Sequence, residues 1–350
     1  MNESENPKKK TKKRVGLILF ILLNVAVIGA TAYIDFGTEK SVSKVGLEDI
    51  NLLYLLAVLG CFVAAILAET AKYCVMIKHT TGRASFREGF EVAALGKYYD
   101  NITPFGAGGQ PFQVVYLLRR GISPGAATAM PIAGFLTLQG AFVILAAAAV
   151  FLGGDVLHSA AARIPAVIGF IFYVSVPLAI LFFAISPALT ERILAWGIRI
   201  FAKLGLVKDA ERRRRVIIAN LHSSIESMSS IFRERFLFLK ILALSLLFQL
   251  ALCSMPYFVL RAFGNTLPYL SVFRSCIYIY LCITFVPTPG NSGVAEGSFY
   301  ALFSVLGQGH LFWAMLVWRF FCYYSFLITG LFAIGGGAGK KRRESPEEKG

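Results

Sequence analysis

Residues 100–111 read DNITPFGAGGQP, three glycines and two prolines inside a chain that is otherwise apolar and helical in pattern. Proline removes a backbone donor and breaks a helix, while glycine tolerates positive φ and close approach of other groups. A second such string, VPTPGNSGVAEG at 286–297, repeats the Thr-Pro pair 185 residues later, counting from Thr103 to Thr288. Aligned on that pair, TPFGAGGQP (103–111) and TPGNSGVAEG (288–297) share clustered glycines and a polar amide or acid near the end, Gln110 in the first and Glu296 in the second. Whether they are two surface turns or two halves of one site depends on where the membrane lies.

Working outward, the 350 residues are 56% hydrophobic with a mean hydropathy of +0.65. Several apolar runs reach the length, about 18 residues or more, that crosses a bilayer as helix. Eight spans are expected: 15–34, 51–77, 125–153, 164–186, 236–262, 268–286, 287–307 and 310–336. The first follows KKKTKKR and shows no small-x-small cleavage site before the polar DFGTEK, so it reads as a retained anchor. A basic tail occupies 1–14, the transmembrane domain 15–337 with a basic helical insert at 187–235, and a disordered tail 338–350.

The net charge of +15 invites a nucleic-acid reading, but its distribution argues for topology. Lys and Arg number six in 1–14, seven in 72–97 with 119–120, eleven in 186–240 and five from Lys340 onward, 29 of the 35. The loops between, 35–50, 154–163 and 261–267, hold two, one and one. This is the positive-inside bias of cytoplasmic loops, with both termini cytoplasmic, and it leaves no compact module to present a basic face to nucleic acid. The insert, with ERRRR at 211–215, reads as amphipathic helices on the cytoplasmic surface touching anionic headgroups. Cys61, Cys74, Cys253, Cys276, Cys282 and Cys322 lie in apolar runs without Cys-x-x-Cys spacing and read as packing residues, so no metal or other cofactor is expected.

With that topology the first string enters from the cytoplasmic side and returns, whereas the second comes from the outside. Irregular backbone at membrane depth survives only where protein or a water-filled cavity surrounds it, and inverted broken helices meeting at the midplane recur in transporters. The expected fold is an all-α polytopic membrane protein of about eight segments with two inverted re-entrant elements. Each break exposes the N-terminus of a following half-helix, at about 109–118 and 293–306, an arrangement suited to a lipid phosphate. Candidate substrate-binding residues are Thr103, Pro104, Gly108, Gly109 and Gln110 in the inner string, and Thr288, Pro289, Gly290, Gly293 and Glu296 in the outer. Arg319, near the middle of the last span, either pairs with Glu296 or binds phosphate, and Arg119 with Arg120 meets headgroups at the inner interface. Asp100 and Asn101 cap or coordinate, Glu69 and Lys72 read as an intrahelical pair near the cytoplasmic end, and Tyr98, Tyr99, Trp313, Tyr323 and Tyr324 as interfacial or packing aromatics.

Gly290-Asn291-Ser292-Gly293 has the Gly-x-Ser-Gly shape of rhomboid intramembrane proteases, but the four histidines (His79, His158, His222, His310) fall in loops or at span edges. His310 lacks the Ala-His-x-x-Gly context that rhomboids show, which argues against a base for Ser292.

YYDNITPFGAGGQPFQVVYLLRRGIS, then VPTPGNSGVAEGSFYALF, then WRFFCYY resembles the lysylphosphatidylglycerol synthase transmembrane, or flippase-like, family over about residues 12–337. The most specific part is Pro-Thr-Pro-Gly-x-x-Gly-x-x-Glu followed by an arginine in the last helix. The resemblance implies a bacterial inner-membrane domain that moves a phospholipid between leaflets, such as phosphatidylglycerol or its lysyl ester; a polyprenyl phosphate offers the same phosphate chemistry, and a homo-oligomer fits as well. It carries over to Pro287, Thr288, Pro289, Gly290, Gly293, Glu296 and Arg319, and more loosely to Thr103, Pro104 and Gly109. The family commonly has a doubled glycine where this chain reads Asn291-Ser292. Full-length members add a soluble domain that transfers lysine from lysyl-tRNA to phosphatidylglycerol, an activity tied to cationic peptide and antibiotic resistance. No such domain is expected here, and the insert of about 50 residues is too small to house it.

Overall fold

Where this chain turns, a cap or a breaker marks the place. The computed structural model describes residues 50–106, 108–151, 160–203, 210–284, 286–306 and 310–335; the expected first span 15–34 and both tails lie outside them. Helix α1 (Leu52–Thr81) starts on Asn51, whose side chain accepts from Leu53 N at 3.1 Å, and stops at Gly82 with φ 73°. Helix α2 (Phe86–Ile102) follows within five residues, its Ser85 side chain accepting from Glu88 N in a Ser-x-x-Glu start. The Pro104–Gly106 turn then breaks the chain, and α3 (Gly109–Arg119) runs back.

Next come α4 (Pro124–Phe151), α5 (Ala160–Ile185), and the two helices of the insert, α6 (Pro187–Lys203) and α7 (Ala210–Arg233). Helix α8 (Arg235–Ala262) leads to α9 (Tyr269–Ile283), the Pro289–Asn291 turn and α10 (Val294–Leu306). The last apolar stretch is α11 (Leu311–Arg319), a π-helical turn at Phe320–Tyr324, and α12 (Ser325–Ala333). Among the described residues, five stretches are long and apolar enough to span a bilayer: Leu52–Thr81, Pro124–Ala149, Ile164–Ala184, Arg235–Ala262 and Leu311–Ala333. The protein is an all-α, multi-pass membrane protein.

The expected spans 268–286 and 287–307 are not separate crossings. At 1.5 Å per residue, α9 with 15 residues is about 22 Å long and α10 with 13 about 20 Å, short of the roughly 30 Å hydrocarbon core. They are the two arms of one hairpin, as α2 and α3 are of another.

Hydrogen bonds define how the hairpins sit. Asn51 N donates to Ala262 O at 2.9 Å, so the start of α1 meets the end of α8. At the far end His79 lies 3.1 Å from Ser230 and 3.0 Å from Glu234, so the end of α1 meets the start of α8. These two helices are an antiparallel pair and share an extensive interface. The first hairpin begins where α1 ends, amid Lys78, Arg83 and Arg87; the second begins where α8 ends, and the chain re-emerges there at His310, packed on Phe263. The hairpins therefore enter from opposite ends of the molecule, and the Pro104–Gly106 turn touches the Pro289–Asn291 turn.

The insert is more tightly held than a solvated connector. Helix α7 lies along α4, with Ser223 against Gly125, and buries Met228 and Ile231. Its apolar face covers the helices beneath while Arg215 stays exposed.

Candidate functional site

The outer tip is built by two prolines and a run of left-handed backbone. Gly290 (φ 61°), Asn291 (φ 55°) and Gly293 (φ 94°) turn the chain, and Thr288 Oγ1 closes it by donating to Ser292 O at 3.1 Å. Asparagine is among the few side chains that take φ > 0 readily, so Asn291 fits a position that otherwise favours glycine; Ser292, at φ −59°, needs no such freedom. Gly290 is required twice over, because a Cβ there would also run into the Tyr323 ring.

This turn frames a buried ion pair. Glu296 Oε1 lies 2.6 Å from Arg319 Nε, with the two side chains only 4% and 6% exposed. The other carboxylate oxygen accepts from Gly293 N at 2.7 Å, capping α10. Arg319 Nη2 donates to Gly290 O at 3.2 Å and to Ser292 Oγ at 3.1 Å, and its guanidinium stacks over Tyr323 at 4.6 Å. An isolated cation at this depth costs at least about 2.5–3.5 kcal/mol, and here carboxylate, carbonyl, hydroxyl and ring together offset it. Of the two sequence readings of Arg319, the pairing with Glu296 is therefore realised. Ser292 is buried with its hydroxyl on that guanidinium, whereas His310 sits at the start of the last stretch, against Phe263.

The inner tip repeats the logic with other residues. Asp100 Oδ1 accepts from Gly109 N at 2.8 Å, and Thr103 Oγ1 accepts from Gly108 N at 2.9 Å while donating to Tyr99 O at 2.7 Å. The half-helix N-termini are thus already capped from within, where the sequence predicts open donors. Asp100, not Gln110, is the inner counterpart of Glu296: each is a carboxylate on the first N–H of the returning helix. A cap four residues before the break is invisible to an alignment made on Thr-Pro. Gln110 is half-buried. Gly96 and Gly109 let α2 and α3 approach, with Gln113 Nε2 donating to Val92 O at 3.1 Å above Gly96.

Tyr323 joins the halves, a role its sequence context hid among the aromatics. Its ring lies under Arg319 and against Gly290, and its hydroxyl donates to Asn101 O of the inner tip at 3.4 Å. Tyr98 of α2 packs on Gly330 of α12. Thr103, Pro104, Gly108, Gly109, Gln110, Thr288, Pro289, Gly290, Gly293, Glu296 and Arg319 thus belong to the two tips or their immediate support. Arg119 does not. It is exposed at the far end of α3, about 15 Å along the helix from Gly109. Its neighbour Arg120 binds Glu91, which also accepts from Arg87 Nε (2.8 Å) and Tyr116 OH (2.8 Å), fastening the base of the hairpin.

Beside the inner tip lies a second charged group. Lys72 and Glu69 form the expected intrahelical pair at 2.8 Å, buried at 0% and 5% exposure, and Lys72 Nζ also donates to Gly134 O at 3.3 Å. Lys97 places its ammonium 4.3 Å over the Phe248 ring, within electrostatic reach of Glu69 and Asp100.

No curated protein matches this chain. The profile of one family does, the lysylphosphatidylglycerol synthase TM region, and it aligns with residues 15–330, taking in both hairpins, the Glu296–Arg319 pair and Tyr323. With a match over that much of its length, carrying a membrane lipid-related role, the chain belongs to the lysylphosphatidylglycerol synthase transmembrane-region family.

Proposed function

We propose that the protein translocates an anionic or aminoacylated phospholipid, such as lysyl-phosphatidylglycerol, between the leaflets of a bacterial inner membrane. The observation that carries this reading is the contact of two opposed hairpins over a buried Arg319–Glu296 pair. Lipid phosphate and carboxylate compete for one guanidinium: a phosphate arriving at Arg319 frees Glu296 Oε1, while Gly293 N–H keeps hold of Oε2. The freed carboxylate then balances an ammonium on the lipid head, so an aminoacylated lipid satisfies both members of the pair. Tyr323, touching both tips, reports the exchange from the outer hairpin to Asn101 of the inner one. The basic end formed by Lys78, Arg83, Arg87 and Arg233 faces the cytoplasm in this reading.

Purified protein in liposomes carrying fluorescent phosphatidylglycerol or its lysyl ester tests it. Wild type moves label between leaflets, and Glu296→Gln and Arg319→Ala reduce the rate at least tenfold; equal movement in all three sinks the site. A polyprenyl phosphate run in parallel distinguishes the lipid classes. Incubation with lysyl-tRNA and phosphatidylglycerol tests the enzyme reading, since new lysyl lipid would make the chain a lysyltransferase.

A further inference from the structure

The two tips share a cap but not its neighbours. Glu296 and Asp100 each accept from the first N–H of a returning helix, Gly293 N at 2.7 Å and Gly109 N at 2.8 Å. Glu296 also holds Arg319 at 2.6 Å, so a proton on it would leave a buried guanidinium without its counter-charge. Asp100 has no such commitment. Among the described residues no cation touches it and its second oxygen, Oδ2, accepts nothing, while the side chain is only half-buried.

Lys97, one turn earlier on α2, is equally uncommitted. Its ammonium sits 4.3 Å over the Phe248 ring, which stabilises a cation without cancelling its charge. Among the described residues no carboxylate touches it, and it too is half-buried. The elements packed on α2 add few other charges. Helix α1 brings Glu69 and Lys72, joined at 2.8 Å, and the Tyr73 hydroxyl, and the last stretch brings Tyr323 on the Asn101 carbonyl. The titratable side chains of α3, Tyr116 and Arg119, lie at its base, and α12 and both Pro-Gly turns carry none.

With Glu69 taken by Lys72, Asp100 and Lys97 balance each other across one helical turn without contact. A proton on Asp100 Oδ2 removes that balance, and a lipid phosphate on Lys97 restores it. The same proton weakens a charge-assisted hydrogen bond to Gly109 N and loosens the cap of α3. Asn101, the next residue, passes the change to Tyr323 and the outer tip.

We infer that Asp100 is a proton-binding site, and that its proton is taken up together with an anionic lipid head whose phosphate Lys97 receives. Lys97 thus serves the inner tip as Arg319 serves the outer. The proton passes from water to Oδ2 and returns to water on the opposite side as the phosphate leaves. This coupling rests on the translocation reading and gives it a driving ion. Proton and phosphate together add no net charge, so the movement answers to a pH difference and not to voltage.

Liposomes holding the full chain and fluorescent phosphatidylglycerol test it. With one proton per lipid, a pH difference of about one unit gathers label up to about tenfold in the leaflet on the less acidic side. A protonophore abolishes that asymmetry, and a potassium diffusion potential alone does not create it. Asp100→Asn keeps an acceptor for Gly109 N but cannot take the proton, so its label ignores the gradient. Infrared difference spectra between acid and alkaline buffer read the site without transport. Wild type gains a protonated-carboxyl stretch that Asp100→Asn lacks and Lys97→Gln retains, although Lys97→Gln gathers no label. Wild type that moves label regardless of the gradient overturns the coupling and leaves translocation standing. A gradient response or an undiminished band in Asp100→Asn overturns the proton site, and wild-type gathering in Lys97→Gln overturns the phosphate's partner. Wild type that moves no label at all defeats translocation itself, and the infrared band then decides the proton site alone.

Discussion

Glu296 is the residue on which the outer tip depends, because one carboxylate both caps a helix and neutralises an arginine. Removing one member of a buried pair strands the other, at a cost of about 3–5 kcal/mol, whereas replacing both with neutral side chains costs much less. Glu296→Gln and Arg319→Met should each lower the melting temperature in detergent, and the double variant should recover most of the loss; simple additivity would show that the two do not interact. Gly290→Ala should be destabilising beyond the penalty for its left-handed backbone, since the added methyl strikes Tyr323. Substituting Tyr323 by Leu in that background should restore part of the stability, measured by the same melting curve. These residues divide sharply in how far they could be read beforehand. An arginine in an apolar run and an acid beside Pro-Gly announce themselves, because each is expensive unless partnered. Tyr323 and Asp100 do not, because a tyrosine among aromatics and an aspartate before a break have ordinary uses.

At the level of elements, the inner hairpin is fastened at its open end as well as its tip. Glu91, 5% exposed, serves Arg87, Arg120 and Tyr116 at once. Glu91→Ala should destabilise by up to about 3 kcal/mol, the low end for a buried pair, because both arginines can reach water. Proteolysis or hydrogen exchange should then show α3 opening while α1 and α8 stay protected, and uniform protection would refute a local clasp. The break between α2 and α3 was legible from three glycines and two prolines. The clasp was not, because Glu91 and Arg120 are 29 residues apart and meet only after the chain has turned back. For the same reason 268–286 and 287–307 pass for two spans by hydropathy, which measures apolarity along the chain and not the direction in which it runs.

For the molecule as a whole, opposed entry of the two hairpins follows from the antiparallel pairing of α1 with α8 and from the short links that lead into α2 and α9. Its orientation in the membrane is a matter of charge. In a background lacking the six native cysteines, a cysteine at Asn265 should react with a membrane-impermeant maleimide on intact cells, and one at Arg83 only after permeabilisation. The reverse pattern would place the basic end outside.

The amino-acid sequence by itself determined the class of protein, the positions of the breaks and the presence of a buried arginine. Each rests on a local property: transfer cost along a run, the backbone limits of glycine and proline, the expense of a charge in hydrocarbon. Only the tertiary structure decided that the two tips touch, that Arg319 takes Glu296 and that Asp100 rather than Gln110 answers it. Those contacts join residues up to 222 positions apart, as Asn101 and Tyr323 are. Which partners meet at such separation is set by how helices pack, and helix packing is a property of surfaces that exist only once the chain is folded.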